Sequence, residues 1–151
     1  SSVALDKEEV RISIVEVPDR PGIAATVFAQ LASGEIPVDM IIQSAPTQKG
    51  VNDISFMIPR SYTQKAARVL KELGKRIGAK RVDVHDQVVK ITAIGTGFKR
   101  HPAIAAKVFK TLAQSRINIH MISTSDIKIC CVIDRRYGEM SVKILHKAFA
   151  L

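Results

Sequence analysis

Apolar residues recur along this chain with two periods, and the periods alternate in a fixed order. Val10 to Val17 (VRISIVEV) alternates apolar and polar positions, which predicts a half-buried strand. After the turn Pro18-Asp19-Arg20-Pro21-Gly22 the spacing becomes helical. Ile23, Val27 and Leu31 stand four apart, with Ala24 and Phe28 beside them, so a helix from about Gly22 to Ala32 buries one stripe. Ser33-Gly34 is its expected stop. Ile36 to Ser44 predicts a strand, and so does Val51 to Ile58, which puts Ile54, Phe56 and Ile58 on one face and Asp53, Ser55 and Met57 on the other. Tyr62 to Ile77 returns to the helical period through Ala66, Val69, Leu70, Leu73 and Ile77, Gly78 closes it, and Lys80 to His85 is a short fourth strand.

The same order then repeats. Pro21 to Ser44, shifted by 81 residues, falls on Pro102 to Ser125 without a gap, and 12 of the 24 positions are identical. Chance would give roughly one or two matches, so the repeat is real and the chain is two units of similar plan. In the second unit Val89 to Thr96, Ile117 to Ser125 and Ile127 to Asp134 predict strands. Pro102 to Gln114 and Tyr137 to Phe149 predict helices, the latter packed through Met140, Ile144, Leu145 and Ala148. A fourth strand is missing there. The short apolar segment Val3-Ala4-Leu5 is left over at the other end, and it is expected to fill that sheet position, because an unfilled one exposes backbone donors and acceptors. The expected fold class is α+β: two ferredoxin-like βαββαβ units in tandem, the first inserted in the second, each an antiparallel sheet with helices on one face. The expected bounds are residues 10–86 for the first unit, and 1–9 with 87–151 for the second.

Composition changes this picture little. The chain has 151 residues, a formal charge of +9, and 46% hydrophobic residues, which is globular. No apolar run is long enough to span a bilayer, and the first residues lack the pattern of a signal peptide, so neither membrane nor secretion is expected. The adjacent Cys130 and Cys131 point to opposite faces of a strand and read as reduced packing residues, in keeping with a cytoplasmic protein. The positive charge raises nucleic acid as a partner. Its carriers, however, fall on helix exteriors (Lys65, Arg68, Lys71, Lys75 and Arg76), and the central strands carry one aromatic, Phe56, so there is no platform on which bases could stack. No nucleic-acid partner is expected.

Catalytic chemistry is also weakly represented. Asp19, Asp39, His101, His120 and Asp126 form no metal-ligand or nucleophile–base spacing, and no phosphate-binding glycine loop is present. No catalytic residue and no metal ligand are assigned. The repeated strand–turn–helix corner suits a small zwitterion better. Free N–H groups at the helix starts, around Gly22 to Ala24 and Ala103 to Ala105, can hold a carboxylate. Asp19, just before the first helix, can take an ammonium, although it can equally serve as a helix cap. The next strand is expected to begin close by, at Pro37-Val38-Asp39 and Asn118-Ile119-His120, with Gln43 further along able to reach a polar side chain.

VPDRPGIAATVF, VDMIIQS, NDISFMIPR, GFKRHPAIAAKVF, INIHMISTSDIKI and the closing ILHKAF together resemble the paired ACT domains of aspartate kinase, over essentially the whole chain. The resemblance implies the insertion topology and a regulatory region or separate small subunit. The ATP- and magnesium-dependent kinase domain, which phosphorylates L-aspartate, would be a partner outside this sequence, and the chain itself would need no cofactor. It also implies a homodimer, with an end-product amino acid, threonine or lysine, bound between neighbouring ACT units as a feedback inhibitor. By motif the effector contacts fall on Asp19, Gly22, Ile23, Ala24, Pro37, Val38, Asp39 and Gln43. From the second repeat they fall on Ile104, Ala105, Asn118 and Ile119. Pro37 stands where relatives commonly have Asn, so that position offers only a carbonyl. The second repeat has Lys99-Arg100-His101 and no acid matching Asp19, so the two corners are expected to be unequal. The competing reading is an ACT-type interaction scaffold without a ligand, or the amino-acid sensor of another biosynthetic enzyme.

Overall fold

A computed structural model of the chain describes residues 2–150. The strands are β1 (Ser2–Asp6), β2 (Glu9–Pro18), β3 (Asp39–Gln43), β4 (Val51–Pro59), β5 (Arg81–His85), β6 (Val88–Ile94), β7 (Ile119–Thr124) and β8 (Lys128–Asp134). The helices are α1 (Ile23–Ser33), α2 (Thr63–Ile77), α3 (Pro102–Gln114) and α4 (Gly138–Ala148). They form two compact units: Glu8–Asp86, and the described residues up to Lys7 together with those from Gln87 onward.

Each unit is a four-stranded antiparallel sheet, in the orders β3-β4-β2-β5 and β1-β6-β8-β7. Position for position, β1 occupies in its sheet the place that β5 occupies in the other. It pairs with β6 from Ser2 opposite Ile94 to Asp6 opposite Lys90. The segment before the first unit therefore completes the second, and the first unit is inserted in it.

In each unit alternation along the strands sends one set of side chains to the helices. Val10, Ile12 and Ile14 of β2 and Ile54, Phe56 and Ile58 of β4 pack with Val27 and Leu31 of α1 and Leu70 and Leu73 of α2. Ile91 of β6 and Ile129, Cys131 and Ile133 of β8 pack with Val108, Leu112 and Leu145. Phe56 faces the helices, edge-on to Phe28 at 5.4 Å between centroids, so this aromatic is core. The five basic residues Lys65, Arg68, Lys71, Lys75 and Arg76 of α2 are exposed. Gly74 marks a close approach, since a Cβ there would meet Val82 Cγ2 at 3.2 Å.

Three local expectations need correction. Met140 is 45% exposed; the inward stripe of α4 is Gly138, Ser141 and Leu145, one step round the helix, because the small Gly138 lets the first turn lie against β1 and β6. Gly34 does not provide the left-handed residue that ends α1. That role falls to Glu35 (φ 54), and 81 residues on to Arg116 (φ 57). In both, the next isoleucine donates its N–H back to the helix, Ile36 to Leu31 O and Ile117 to Leu112 O, each at 3.0 Å. That is the Schellman turn, with its accompanying buried apolar residue. The strands after these turns are also shorter than predicted, beginning at Asp39 and Ile119: Ile36 and Ile117 are buried as anchors of the turn before pairing starts.

Candidate functional site

In the first unit, β2 ends beside β4 with Val17 opposite Asn52, after a register shift between Ile14 and Val17. Glu16 takes a left-handed backbone there (φ 52) and donates its N–H to Asp53 Oδ1 at 2.9 Å. A bulge of this kind bends a strand end and re-aims the residues just beyond it. The residue so placed is Asp19.

Asp19 does not cap α1, which has no side-chain cap bond. Its backbone N–H donates to Gly50 O at 2.9 Å, and its Oδ1 accepts a hydrogen bond from Asn52 Nδ2, also at 2.9 Å. The residue is exposed. Among the described residues no Lys, Arg or His forms an ion pair with it. It is thus an oriented carboxylate with no cation. The N-cap of α1 is Gly22, left-handed at φ 94 with nothing within 4 Å of where a Cβ would stand. The first intrahelical bond runs from Thr26 N–H to Gly22 O. The N–H groups of Ala24 and Ala25 lie ahead of it and have no intrahelical acceptor. An oriented acid beside a helix start can take an ammonium and a carboxylate at once.

The predicted residues separate into two groups within each unit. Asn52 of β4 lies beside the Asp19 end, whereas Asp39 pairs with Met57, five residues further along the same strand. That is about 17 Å at 3.4 Å per residue. Pro37, Val38 and Asp39 therefore sit at the far end of the unit from Asp19, Gly22, Ile23 and Ala24. The expectation that the next strand begins close to the helix start is corrected by the topology. A helix of 11 residues carries the chain about 16 Å away before the strand returns. Gln43, opposite Ile54, is back at the Asp19 end, on the other side of β4. Asp39 Oδ1 accepts the N–H of Met40 (φ 51) at a second register shift. In the second unit Ile104 and Ala105 open α3, while Ile119 pairs with Ile133 near the opposite end of β8 from Lys128. Asn118, just before Ile119, is exposed.

The second corner is built differently. Gly97 (φ 71) leads a short helical turn, Phe98–Arg100, and α3 then opens on Pro102 with no side-chain cap. Asp126 Oδ1 accepts the N–H of Lys99 at 3.3 Å. A depression of about 260 Å³ lies beside it, lined by Phe98, Lys99, Pro102, Ala105, Thr124, Ser125 and Ile129. His120 lies apart from this corner, with Nε2 2.9 Å from Asp134 Oδ1. Counted from the matching pairs Ile14–Ile54 and Ala93–Ile129, Ile127 corresponds in sequence to Asn52, but it is 56% exposed and lies before β8. Sequence reasoning missed Asn52; its alternation with Ile54 was visible, but its partner across the loop was not. No helix is long and apolar enough to cross a membrane, and no group of three or more His, Cys, Asp or Glu could hold a metal, among the described residues.

Two ferredoxin-like units, the first inserted in the second, define a class. The ACT domain family model matches residues 7–73 and 91–149, and the chain belongs to that family. Its relatives within the family are aspartate kinases. It is 40% identical over 151 residues to the aspartokinase of Helicobacter pylori and 36% identical to an aspartate kinase of Pseudomonas fluorescens. The whole chain is covered in both cases, but only 36% of either relative. Among solved structures, a chain of aspartokinase alpha and beta subunits superposes with a TM-score of 0.93 at 43% identity, over 100% of this chain and 99% of that one. The ligand-free regulatory subunit of aspartate kinase from Thermus thermophilus gives 0.92 at 34% identity, over 99% and 97%. The fold and the relatives are those of an aspartokinase regulatory ACT tandem.

Proposed function

We propose that this chain is the amino-acid-sensing part of an aspartate kinase. It binds an end-product amino acid, threonine in the first place and lysine as the alternative, and restrains ATP-dependent phosphorylation of L-aspartate by a kinase domain or subunit with its own ATP and magnesium. The carrying observation is Asp19: a carboxylate held by Asn52, with no cation on it, beside a helix start with free N–H groups. The Ile23 N–H is held by Arg20 O, so the free N–H groups of Ala24 and Ala25 take the effector carboxylate, Asp19 its ammonium, and Gln43 its side chain.

The separation within each unit supports a site completed by a second copy. Pro37, Val38 and Asp39 cannot reach the Asp19 corner of their own unit, so the strand-start residues act on an effector held by the corner of a neighbouring ACT unit in a homodimer. Ile104, Ala105, Asn118 and Ile119 contribute in the same manner from the second repeat. An effector bridging two units favours the arrangement with both walls in place. It shifts activity only by its affinity difference between states, typically 1–3 kcal/mol.

A melting screen with the twenty amino acids tests this. A hundredfold excess over Kd adds about 2.7 kcal/mol, or roughly 5–10 °C for a chain of this size. A rise with threonine or lysine supports the reading. No rise with any amino acid favours the ligand-free scaffold.

A further inference from the structure

Asn52 is almost fully buried, 3% exposed, inside a strand end that is otherwise apolar or solvated. Its Nδ2 donates to Asp19 Oδ1 at 2.9 Å across 33 residues of sequence. Its Oδ1 is buried and has no hydrogen-bond partner. An amide so placed is a poor choice for stability, because a buried acceptor without a donor costs more than one satisfied bond contributes. An apolar side chain of the same size would remove that cost. The second unit lacks both members of the pair: Ile127, at the matching count along the chain, is 56% exposed and precedes β8, and no acid precedes α3 at the place of Asp19.

We infer that Asn52 is a positioning residue for effector recognition: it fixes the Asp19 carboxylate toward the helix start so that the carboxylate meets the effector's ammonium. This rests on the reading of the Asp19 corner as an amino-acid site. Without the amide, an exposed aspartate rotates freely among its staggered positions, and the ammonium must order it on binding. The bond also takes one lone-pair direction of Oδ1 and leaves the second carboxylate oxygen for the ligand. Asn52 itself is too buried to touch the ligand, so its effect passes through Asp19 and is confined to ligands that carry an α-ammonium.

The test uses the full chain with Asn52→Leu, which keeps the volume, and Asn52→Ala as a second variant. Calorimetry compares L-threonine with 3-hydroxybutyrate, and L-lysine with 6-aminohexanoate, each pair differing in the α-amine. Asn52→Leu should melt at or above the parent temperature yet bind the amino acid about tenfold more weakly, and its preference for amino acid over des-amino analogue should fall by the same factor. Asn52→Ala should show the same loss of preference whatever its stability. Unchanged amino-acid affinity, or an equal loss for both members of a pair, would overturn the inference, since damage to the fold alone does not select the amine. Asp19→Ala separates the two levels. If it leaves amino-acid binding intact, the reading of the corner fails; if it abolishes binding while both Asn52 variants bind normally, only the role of Asn52 fails.

Discussion

Leu5 of β1 presses against the first residue of α4: a Cβ on Gly138 would stand 3.3 Å from Leu5 Cδ1, and equally close to Val89 Cγ2. The first strand of the chain and its last helix are thus two layers of one core. Gly138→Val should lower stability by about 1–3 kcal/mol through overpacking. Adding Leu5→Ala should cost less than the sum of the two single changes, because the truncated side chain makes the room that valine needs. Denaturant unfolding of the parent and the three variants checks this, and additive costs would separate β1 from α4.

Glu35 and Arg116 hold left-handed backbones at equivalent ends of α1 and α3. A residue with a Cβ spends roughly 1–2 kcal/mol on that conformation, against somewhat under 1 kcal/mol for the extra chain freedom of glycine. Glu35→Gly and Arg116→Gly should therefore each stabilise the fold by about 0.5–1 kcal/mol. Melting of the single and double variants measures it, and a loss in either would show that its side chain contributes more than its backbone costs.

Asp19→Ala should weaken threonine binding by roughly 2–5 kcal/mol if the acid pairs with a desolvated ammonium, as truncated charge pairs do at interfaces. Calorimetry at moderate salt reads this directly. Affinity within a factor of two of the parent would remove Asp19 from the site.

Burial, helped by the neighbouring Cys130, pushes the Cys131 thiol up to about 12. An acid whose pKa is raised by folding stays protonated in the native chain while the unfolded chain ionises near 8.5. The unfolded state then binds fewer protons, so stability falls with rising pH across the window from about 8.5 to 12, by up to about 1.4 kcal/mol per unit. Denaturant midpoints between pH 8 and 10.5 should decline, and Cys131→Ala should flatten that part of the decline. The same burial predicts slow alkylation of Cys131 in the folded protein.

Much of this molecule is local in origin. Local apolar patterning locates seven of the eight strands and all four helices to within a few residues, because burying one face is a demand each segment meets through its own spacing. The repeat then required a second sheet with an empty place, and the leftover Val3-Ala4-Leu5 was the remaining segment apolar enough to occupy it. Errors fell where a neighbour decides. The spacing of α4 puts Met140 inward, but the small Gly138, fitted against Leu5 and Val89, sets a rotation that leaves it exposed. Asp19 was open to a capping role until Asn52, a strand away, took its carboxylate.

The sequence by itself determined the elements, their doubling, the insertion and the acid beside the first helix start, since each rests on short-range patterning or on composition. Only the tertiary structure decided that Pro37 to Asp39 lie a helix length from that acid, and that a buried amide aims it. Strand register and the direction of a crossover are set by pairing between distant segments, and no local pattern carries that information.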